Sequence, residues 1–319
     1  MKTEALWYVG DGRVERRAGE VPLPTQDQVL VRALYSGVSR GTERLILQGR
    51  VPLSEHARMR CPFQEGAFPF PVKYGYALVG AIEGGSRAGE HIFALYPHQQ
   101  LATLPSLSAH VLPAGLPPRR AVLTANMETA LNVLWDAEVP RGSNVLIIGA
   151  GVLGLLTAAV VKSVPDVKVT VVDVATTRAS ISAKMGAAFA TPANAPRDQD
   201  IVIHTSATEA GLRLALTCAG NEAKIVEASW FGDKQISLPL GEAFHARRLK
   251  LISSQVGQVA PSHRVEWSYA RRLQAAMALL QNDLFDALLE TEVAFADAPA
   301  LLPEILDDSR PRLMTVLRY

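Results

Sequence analysis

The chain has 319 residues, a length that suits two domains. Its hydrophobic fraction of 48% and charged fraction of 20% are those of a globular protein with a sizeable core. With 32 Lys and Arg against 31 Asp and Glu, the net charge is +1, which argues against nucleic acid and anionic membranes as partners.

Cysteine usage and the first residues predict a cytoplasmic protein. The two cysteines, Cys61 and Cys218, exclude a disulfide framework and favour a reducing compartment. The N-terminus lacks the apolar segment of a signal peptide. The longest apolar stretch, 145–161, contains glycines and is shorter than the ~20 residues of a membrane span.

The first third of the chain has the pattern of a β domain. Residues 1–115 are rich in Pro and Gly and carry short alternating runs such as 28–33 and 91–95. These runs predict strands separated by turns. The Ala-Gly-Leu-Pro-Pro segment at 114–118 predicts a domain boundary.

From residue 119 the pattern alternates between helices and strands. Helices are predicted at 119–138, 152–163 and 177–185, and a further one is opened by a capping box at 206–209 and ends at Gly220. Apolar runs predict strands at 144–148, 168–173, 200–204, 223–228 and 249–253. This alternation predicts βαβ units and a parallel sheet covered by helices. The tail, 262–319, resembles the N-terminal region, with a helix predicted at 264–281 and a strand-like end at 312–319.

A glycine-rich segment, Gly149-Ala150-Gly151-Val152-Leu153-Gly154, lies between a predicted buried strand and a predicted helix. In that context the first glycine permits a tight turn, the second lets a pyrophosphate approach the backbone, and the third allows close packing of helix and strand. Free N–H groups and the helix dipole then face the phosphate charge. The segment predicts a dinucleotide site.

Asp173 ends the second predicted strand and is followed by Val174. A carboxylate at this place accepts hydrogen bonds from a ribose 2′-OH and repels a 2′-phosphate, so NAD(H) is favoured over NADP(H). Arg178 leaves an alternative open. It has the charge to neutralise a 2′-phosphate, although its spacing fits a helix face equally well.

Several segments together resemble the medium-chain dehydrogenase/reductase superfamily, the alcohol-dehydrogenase-like enzymes: Ser36-Gly37-Val38-Ser39, Pro71-Val72-Lys73-Tyr74-Gly75-Tyr76, Gly89-Glu90-His91-Ile92-Phe93-Ala94 and the glycine segment. The resemblance implies an α/β protein with a GroES-like, mostly β catalytic domain (1–117 and 262–319) and a Rossmann doubly wound parallel sheet (118–261). It also implies a homodimer. Residues 36–43 are similar to the corresponding segment of bacteriochlorophyllide dehydrogenases.

The chain departs from the zinc-dependent members of this superfamily. Those enzymes have Cys at the position of Ser39, His-Glu at Tyr76-Ala77, and a third ligand near Ala125. Hydroxyl and methyl groups do not replace thiolate and imidazole on Zn²⁺, so the resemblance implies a zinc-free branch. The remaining metal hypothesis is an unconventional site at Glu55, His56 and Cys61.

Without zinc, residues at the former ligand positions become candidates for catalysis. Tyr76 is the candidate proton donor, Ser39 and Thr42 would orient or relay, Arg40 would stabilise an alkoxide or enolate, and Glu43 would hold Arg40 or Tyr76. The alternative is structural: turn chemistry beside Gly41 for Ser39 and Thr42, and a core phenol for Tyr76.

The resemblance also implies residues that line the cofactor. Thr129 would lie near the nicotinamide, and the ends of later strands would contribute Thr205, Ser206, Ala207, Ser229, Trp230, Ser254 and Gln255. Trp230 has a packing role as its alternative.

The predicted function is that of a zinc-independent NAD(H)-linked oxidoreductase acting on a small carbonyl or alcohol. Basic side chains interleaved with Phe63, Phe68 and Phe70 suggest an aromatic or anionic substrate, or else a solvated loop: Arg40, Arg44, Arg50, Arg58, Arg60 and Lys73. Two alternatives stay open, an NADPH-dependent quinone or enone reductase and a dinucleotide-binding redox sensor without turnover.

Overall fold

The computed structural model describes residues 1–307, 309 and 312–319, and the chain forms two compact units. The first unit comprises Met1–Ala125 and Met277–Tyr319, and the second comprises Asn126–Ala276. The domain boundaries expected after residues 117 and 261 stay predictions. Among the described residues, no helix has the length and apolar character needed to cross a bilayer.

The first unit is built on two sheets within the described part of the chain. A four-stranded sheet has the order β2-β1-β5-β4, and a seven-stranded sheet has the order β16-β17-β3-β6-β7-β9, with β8 paired to β3. The strands are β1 (Lys2–Gly10), β2 (Arg13–Glu20), β3 (Gln28–Val38), β4 (Glu65–Gly66), β5 (Val72–Lys73), β6 (Leu78–Glu83), β7 (His91–Ala94), β8 (Leu101–Pro105), β9 (His110–Val111), β16 (Leu289–Ala294) and β17 (Met314–Arg318).

Pairing in the larger sheet joins the two ends of the chain. Strand β17 runs antiparallel to β3, with Leu317 opposite Ser36 and Thr315 opposite Val38. The core of this sheet is aliphatic and includes Val31, Leu78 and Leu104, all fully buried. Helix α1 (Arg40–Leu47) follows directly on β3, so the end of that strand fixes where the helix begins.

The second unit contains a six-stranded parallel sheet in the described chain, with the order β12-β11-β10-β13-β14-β15. Its strands are β10 (Asn144–Ile148), β11 (Lys168–Val172), β12 (Ala188–Ala190), β13 (Gln199–His204), β14 (Ala219–Glu227) and β15 (Lys250–Ser253). Four successive residues of β10 are buried, as expected for a central strand covered on both faces.

The helices after α1 are α2 (Pro118–Ala121), α3 (Thr124–Ala137), α4 (Val152–Val161), α5 (Ala179–Lys184), α6 (Glu209–Cys218), α7 (Tyr269–Leu279) and α8 (Ala298–Ile305). Helix α4 packs against β10 and β11, and α6 against β13 and β14. The predicted α/β architecture, a GroES-like mostly β part and a Rossmann doubly wound parallel sheet, is confirmed.

Three helix predictions were wrong in detail. The helix expected at 119–138 is divided into α2 and α3, and at the division Thr124 donates its hydroxyl to the Ala121 carbonyl at 2.6 Å. The helix expected from 264 begins at Tyr269, after a run of turns. The capping box expected at 206–209 is not formed, because Thr208 is the N-cap of α6 and accepts the Gly211 amide.

Candidate functional site

The glycine segment connects β10 to α4, as the sequence predicts, and two of its glycines are required by the fold. Gly149 has φ +113°, and a Cβ there would lie 2.8 Å from the Thr205 hydroxyl oxygen. A Cβ on Gly154 would lie 1.9 Å from the Gly149 carbonyl oxygen. Any other residue at these two positions would strain the turn between strand and helix.

Gly151 has no such internal reason to be glycine. It is exposed, and a Cβ there would meet nothing within 4 Å. The missing side chain therefore leaves open space over the backbone at the N-terminus of α4, with Val152 and Leu153 following in the first turn. Backbone N–H groups below an open surface fit a pyrophosphate, so the residues present fit a dinucleotide.

Asp173 follows β11 and is tied to the glycine segment by hydrogen bonds. One carboxylate oxygen accepts the Ala150 amide at 2.7 Å, and the other accepts the Ala175 amide at 2.8 Å. The side chain thus fixes the loop and retains lone pairs for a further donor such as a ribose hydroxyl. Val174 is 82% exposed beside it, whereas Arg178 is buried, and its carbonyl accepts the Ser182 hydroxyl.

The other predicted cofactor residues of the strand ends lie at one edge of the second unit's sheet. Because all six strands are parallel, their carboxyl ends meet at this edge. Strands β11 and β12 lie on one side of β10 and strands β13 to β15 on the other, so the strand order reverses between β10 and β13. The turns after β13, β14 and β15 contribute Thr205, Ser206, Ala207, Ser229, Trp230, Ser254 and Gln255.

Contacts within this edge separate the predicted residues into groups. Thr205 donates its hydroxyl to the Gly149 carbonyl at 3.1 Å, so it belongs to the glycine loop. Ser254 donates to an Asp136 carboxylate oxygen at 2.6 Å, and the Gln255 side chain accepts the Gly257 amide at 2.7 Å. Thr129 lies half-buried within α3.

In the first unit, the structure brings together Tyr76, Ser39 and Thr42. The Tyr76 phenol is hydrogen-bonded to the Ser39 hydroxyl and lies 3.2 Å from the Thr42 hydroxyl oxygen. Ser39 is the N-cap of α1 and Thr42 lies in its first turn, while Tyr76 follows β5. Residues predicted from distant segments of sequence therefore form one hydroxyl cluster.

The environment of Tyr76 keeps its phenol protonated. Burial raises the pKa of Tyr76 to about 12, and its hydrogen bonds with Ser39 and Thr42 act in the opposite direction. At neutral pH the side chain is a donor. Both neighbouring hydroxyls are placed to donate to the phenolate that remains when the proton leaves.

Glu43 is fully buried and contacts the hydroxyl cluster through the backbone of Ser39. It accepts the Ser39 amide at 2.7 Å on one oxygen, and on the other it accepts the Tyr8 phenol at 2.6 Å and contacts His98 Nε2 at 3.1 Å. His98 is also fully buried, and its Nδ1 lies 2.7 Å from the Ser36 hydroxyl.

Sequence reasoning missed most of this network. Tyr8, Ser36 and His98 were not predicted, and neither was Tyr319, whose phenol lies 3.0 Å from the Ser36 hydroxyl. Their partners are 35 to 283 residues away along the chain, so no local spacing signals them. Gly75 has a role here as well, because a Cβ on it would lie 2.9 Å from His98 Nε2.

Arg40 faces the C-terminal part of the same unit. Its guanidinium donates to the carbonyls of Ile305, at 3.1 Å, and Asp307. Burial lowers the pKa of Arg44, and the charges of Arg40 and Arg50 lower it further, so these three arginines lie close enough to repel one another. The role predicted for Arg40 on a substrate stays a prediction.

The remaining basic side chains of this stretch have protein partners. Arg58 pairs with Glu55 at 3.3 Å, and Arg60 donates to the Gln64 carbonyl at 2.8 Å. Lys73 is buried between Glu65 and Gln99. Lys73 is therefore not placed to meet an anion from solvent.

Glu55, His56 and Cys61, the candidate ligands of an unconventional site, do not form a metal site. Across the described residues, no group of three His, Cys, Asp or Glu side chains is placed to hold a metal. Cys61 is a buried thiol, and burial raises its pKa to about 12. His56 lies 3.1 Å from the Val51 carbonyl, and Glu55 is occupied by Arg58.

Comparisons with known proteins identify the fold. No protein-family model matches the sequence, and no curated protein matches it. Solved structures do match over the whole chain. A short chain alcohol dehydrogenase from Escherichia coli solved with NADH is 17% identical, with a TM-score of 0.77 and coverage of 100% of this chain and 99% of that one.

Two further structures agree. A putative zinc-binding dehydrogenase from Sinorhizobium meliloti bound to NADP is 18% identical, covers 100% of both chains and has a TM-score of 0.79. L-idonate 5-dehydrogenase from Escherichia coli is 14% identical, with a TM-score of 0.80 and coverage of 100% of this chain and 99% of that one. The chain has the fold of these dehydrogenases. The predicted resemblance to alcohol-dehydrogenase-like enzymes is thus confirmed at the level of fold.

Proposed function

We propose that the protein is a zinc-independent oxidoreductase that transfers a hydride between NAD(H) and a carbonyl or alcohol. The observation that carries this proposal is the hydrogen-bonded pair of Tyr76 and Ser39. The resemblance to alcohol-dehydrogenase-like enzymes implies that the pair occupies positions of zinc ligands, and the chain also has a complete dinucleotide loop.

When bound at the glycine loop of residues 149–154, NADH would supply the hydride for the carbonyl carbon. Tyr76 supplies the proton: its O–H bond breaks as a new O–H bond forms on the substrate oxygen, and the electron pair stays on the phenolate. Ser39 and Thr42 stabilise that phenolate by donating their hydroxyl hydrogens. Oxidation of an alcohol follows the same steps in reverse.

Glu43 orients this pair. By accepting the Ser39 amide it fixes the first turn of α1, which carries both Ser39 and Thr42. It acts on Tyr76 through the backbone of Ser39, and it is therefore a positioning residue. The zinc-free character of the proposal is tested by metal analysis of the purified protein, where stoichiometric zinc would overturn it.

Cofactor choice provides the first test. We expect NADH to bind more tightly than NADPH, because the Asp173 carboxylate is held at the loop by two amides and repels a 2′-phosphate. Asp173→Ser removes that charge, and the NADPH to NADH affinity ratio is expected to rise by roughly 10-fold, or ~1.4 kcal/mol. Titration of nicotinamide fluorescence measures both affinities. Tighter NADPH binding by the parent protein would contradict the assignment.

The glycine loop provides a matched pair of variants. Gly151→Ala adds a methyl group to open space, so we expect unchanged thermal stability and NADH binding weakened by about 10-fold, since overpacking a contact costs ~1–3 kcal/mol. Gly154→Ala places its methyl group against the Gly149 carbonyl, and we expect a lower Tm. Equal NADH affinity in the parent and Gly151→Ala would place the dinucleotide elsewhere.

The substrate class is the finer part of the proposal. Phe63, 38% exposed, packs on Tyr96 with ring centroids 5.0 Å apart, and the ring of Tyr74 lies 6.1 Å from that of Tyr76. These rings favour a substrate with an aromatic body. A screen of aldehydes, ketones, secondary alcohols and enones decides between carbonyl and alkene reduction. The homodimer that the resemblance implies is part of the same proposal, and light scattering checks it.

A further inference from the structure

His204 and Glu227 form a buried pair that the mechanism above does not use. They are the last residues of β13 and β14 and are partners in the register of the sheet. His204 Nδ1 lies 2.6 Å from a Glu227 carboxylate oxygen, and the imidazole is completely buried. The pair lies at the carboxyl edge of the sheet, beside the turn 205–208.

Each member of the pair holds one side of that turn. His204 Nε2 lies 2.7 Å from the Ser206 hydroxyl. The second oxygen of Glu227 accepts the Ser229 amide at 2.7 Å, and the Ser229 hydroxyl accepts the Ala207 amide at 3.0 Å. Ala207 has φ +53°, a left-handed conformation that is uncommon for alanine and persists only where surrounding contacts enforce it.

Hydrogen bonds also join the turn 205–208 to the glycine loop and to α6. Thr205 donates to the Gly149 carbonyl, and Ser206 is hydrogen-bonded at 2.9 Å to Thr208, the N-cap of α6. Packing leaves little freedom, because a Cβ on Gly211 would lie 2.6 Å from His204 Nε2. A change at the imidazole therefore reaches both the loop and the cap of the helix.

The charge state of His204 sets the direction of these hydrogen bonds. When the imidazole is neutral, Nδ1 donates to Glu227 and Nε2 accepts the Ser206 hydroxyl hydrogen. When it is protonated, Nε2 donates to Ser206, which then donates to Thr208, and the exposed Thr208 hydroxyl is left to donate outward. One proton taken from solvent also changes the charge of the pair from −1 to zero.

We propose that His204 and Glu227 are proton-linked positioning residues of the dinucleotide edge, and that protonation of His204 strengthens binding of the anionic pyrophosphate. This inference rests on the proposed function. A buried negative charge at an edge that binds phosphate opposes binding, and its neutralisation removes the repulsion.

Other charged groups around the pair are held by partners of their own. From α6, Glu209 pairs with Arg213 at 3.0 Å and accepts the Ser237 amide at 3.2 Å. At the end of β11, Asp173 accepts two loop amides. Strand β10 presents Ile148 next to His204, and the Phe231 ring lies 6.0 Å from the imidazole. Glu227 is thus the charged group in contact with His204.

NADH titrations between about pH 5 and 8, where histidine side chains change charge, test the proposal. In the parent protein we expect NADH affinity to fall about 5- to 10-fold as the pH rises. This change lies at the lower end of the affinity changes that binding at one site ordinarily causes at another. His204→Gln keeps a donor and an acceptor but does not titrate, and its affinity should be independent of pH. His245→Gln, at an exposed histidine of the same unit, is the control and should behave as the parent.

A second measurement keeps the proposal testable if His204→Gln does not fold. Linkage is reciprocal, so NADH must increase the fraction of protein in which His204 carries a second ring proton, and spectra of ¹⁵N-histidine-labelled protein report this directly. The signal of His204 is assigned with Ser206→Ala, which removes the hydroxyl next to His204 Nε2 and so shifts that signal. A pH-independent affinity in the parent, or pH dependence retained in His204→Gln, would overturn this inference alone. Absence of NADH binding at every pH would instead overturn the proposed function.

Discussion

Tyr76→Phe is expected to lower kcat by about 100-fold or more, the usual contribution of a positioned general acid, and to leave NADH affinity unchanged. The change removes the hydroxyl that is hydrogen-bonded to Ser39 and Thr42, and the buried ring keeps its packing. Because the pKa of Tyr76 is raised to about 12, we expect no loss of reductive activity from its ionisation at neutral or mildly alkaline pH. Turnover and fluorescence titrations on one preparation measure both quantities.

Tyr35→Phe is the matched control for this variant. Tyr35 lies on β3 of the same unit, one residue before Ser36, and is not part of the hydroxyl cluster. We expect its kcat and NADH affinity to equal those of the parent. If Tyr76→Phe retains the parent kcat on a good substrate, the proton comes from another group and the mechanism proposed for Tyr76 is wrong.

Glu43→Ala is expected to destabilise the protein by about 3–5 kcal/mol, the cost of removing one partner from a buried charged network. Three donors lose their acceptor at once: the Tyr8 phenol, the Ser39 amide and His98 Nε2. Water can replace the lost carboxylate as an acceptor only if the core opens, because Glu43 and His98 are fully buried. Urea unfolding monitored by tryptophan fluorescence measures the loss.

An exposed carboxylate of the same unit provides the comparison. Glu83 pairs with Arg32 at the surface, where both side chains are substantially exposed, and Glu83→Ala should cost less than about 1 kcal/mol. If Glu43→Ala lost no more than Glu83→Ala, the network around Glu43 would not stabilise the fold. Its proposed role in holding Ser39 would then fail as well.

The parts of the fold that sequence reasoning predicted well depend on local patterns. The apolar run of β10 and the glycines that follow it define a buried strand, a tight turn and a helix within a few residues. Errors arose at the ends of helices, where side-chain hydrogen bonds between near neighbours differ from those expected. Thr124 bonds back to the Ala121 carbonyl where one continuous helix was expected, and Ser206 contacts His204 although local spacing predicted it as a cap.

The candidate site shows the same division. Ser39 and Tyr76 were predicted because the resemblance places them at positions of zinc ligands, and the structure joins them by a hydrogen bond. The Glu43–His98 contact and the His204–Glu227 pair were missed. Their members lie on different strands and loops, and nothing in their own neighbourhoods distinguishes a paired buried histidine from an ordinary one.

By itself the sequence determined the βαβ order and the glycine loop with its acidic partner Asp173, since each is set by residue type at short spacing. Only the tertiary structure decided which polar side chains are buried together. A buried charge must find its partner in space, and β pairing brings Ser36 to Leu317 and His204 to Glu227 across long stretches of chain. The cofactor loop is therefore predictable from local order, whereas the groups that hold and tune it are a product of folding.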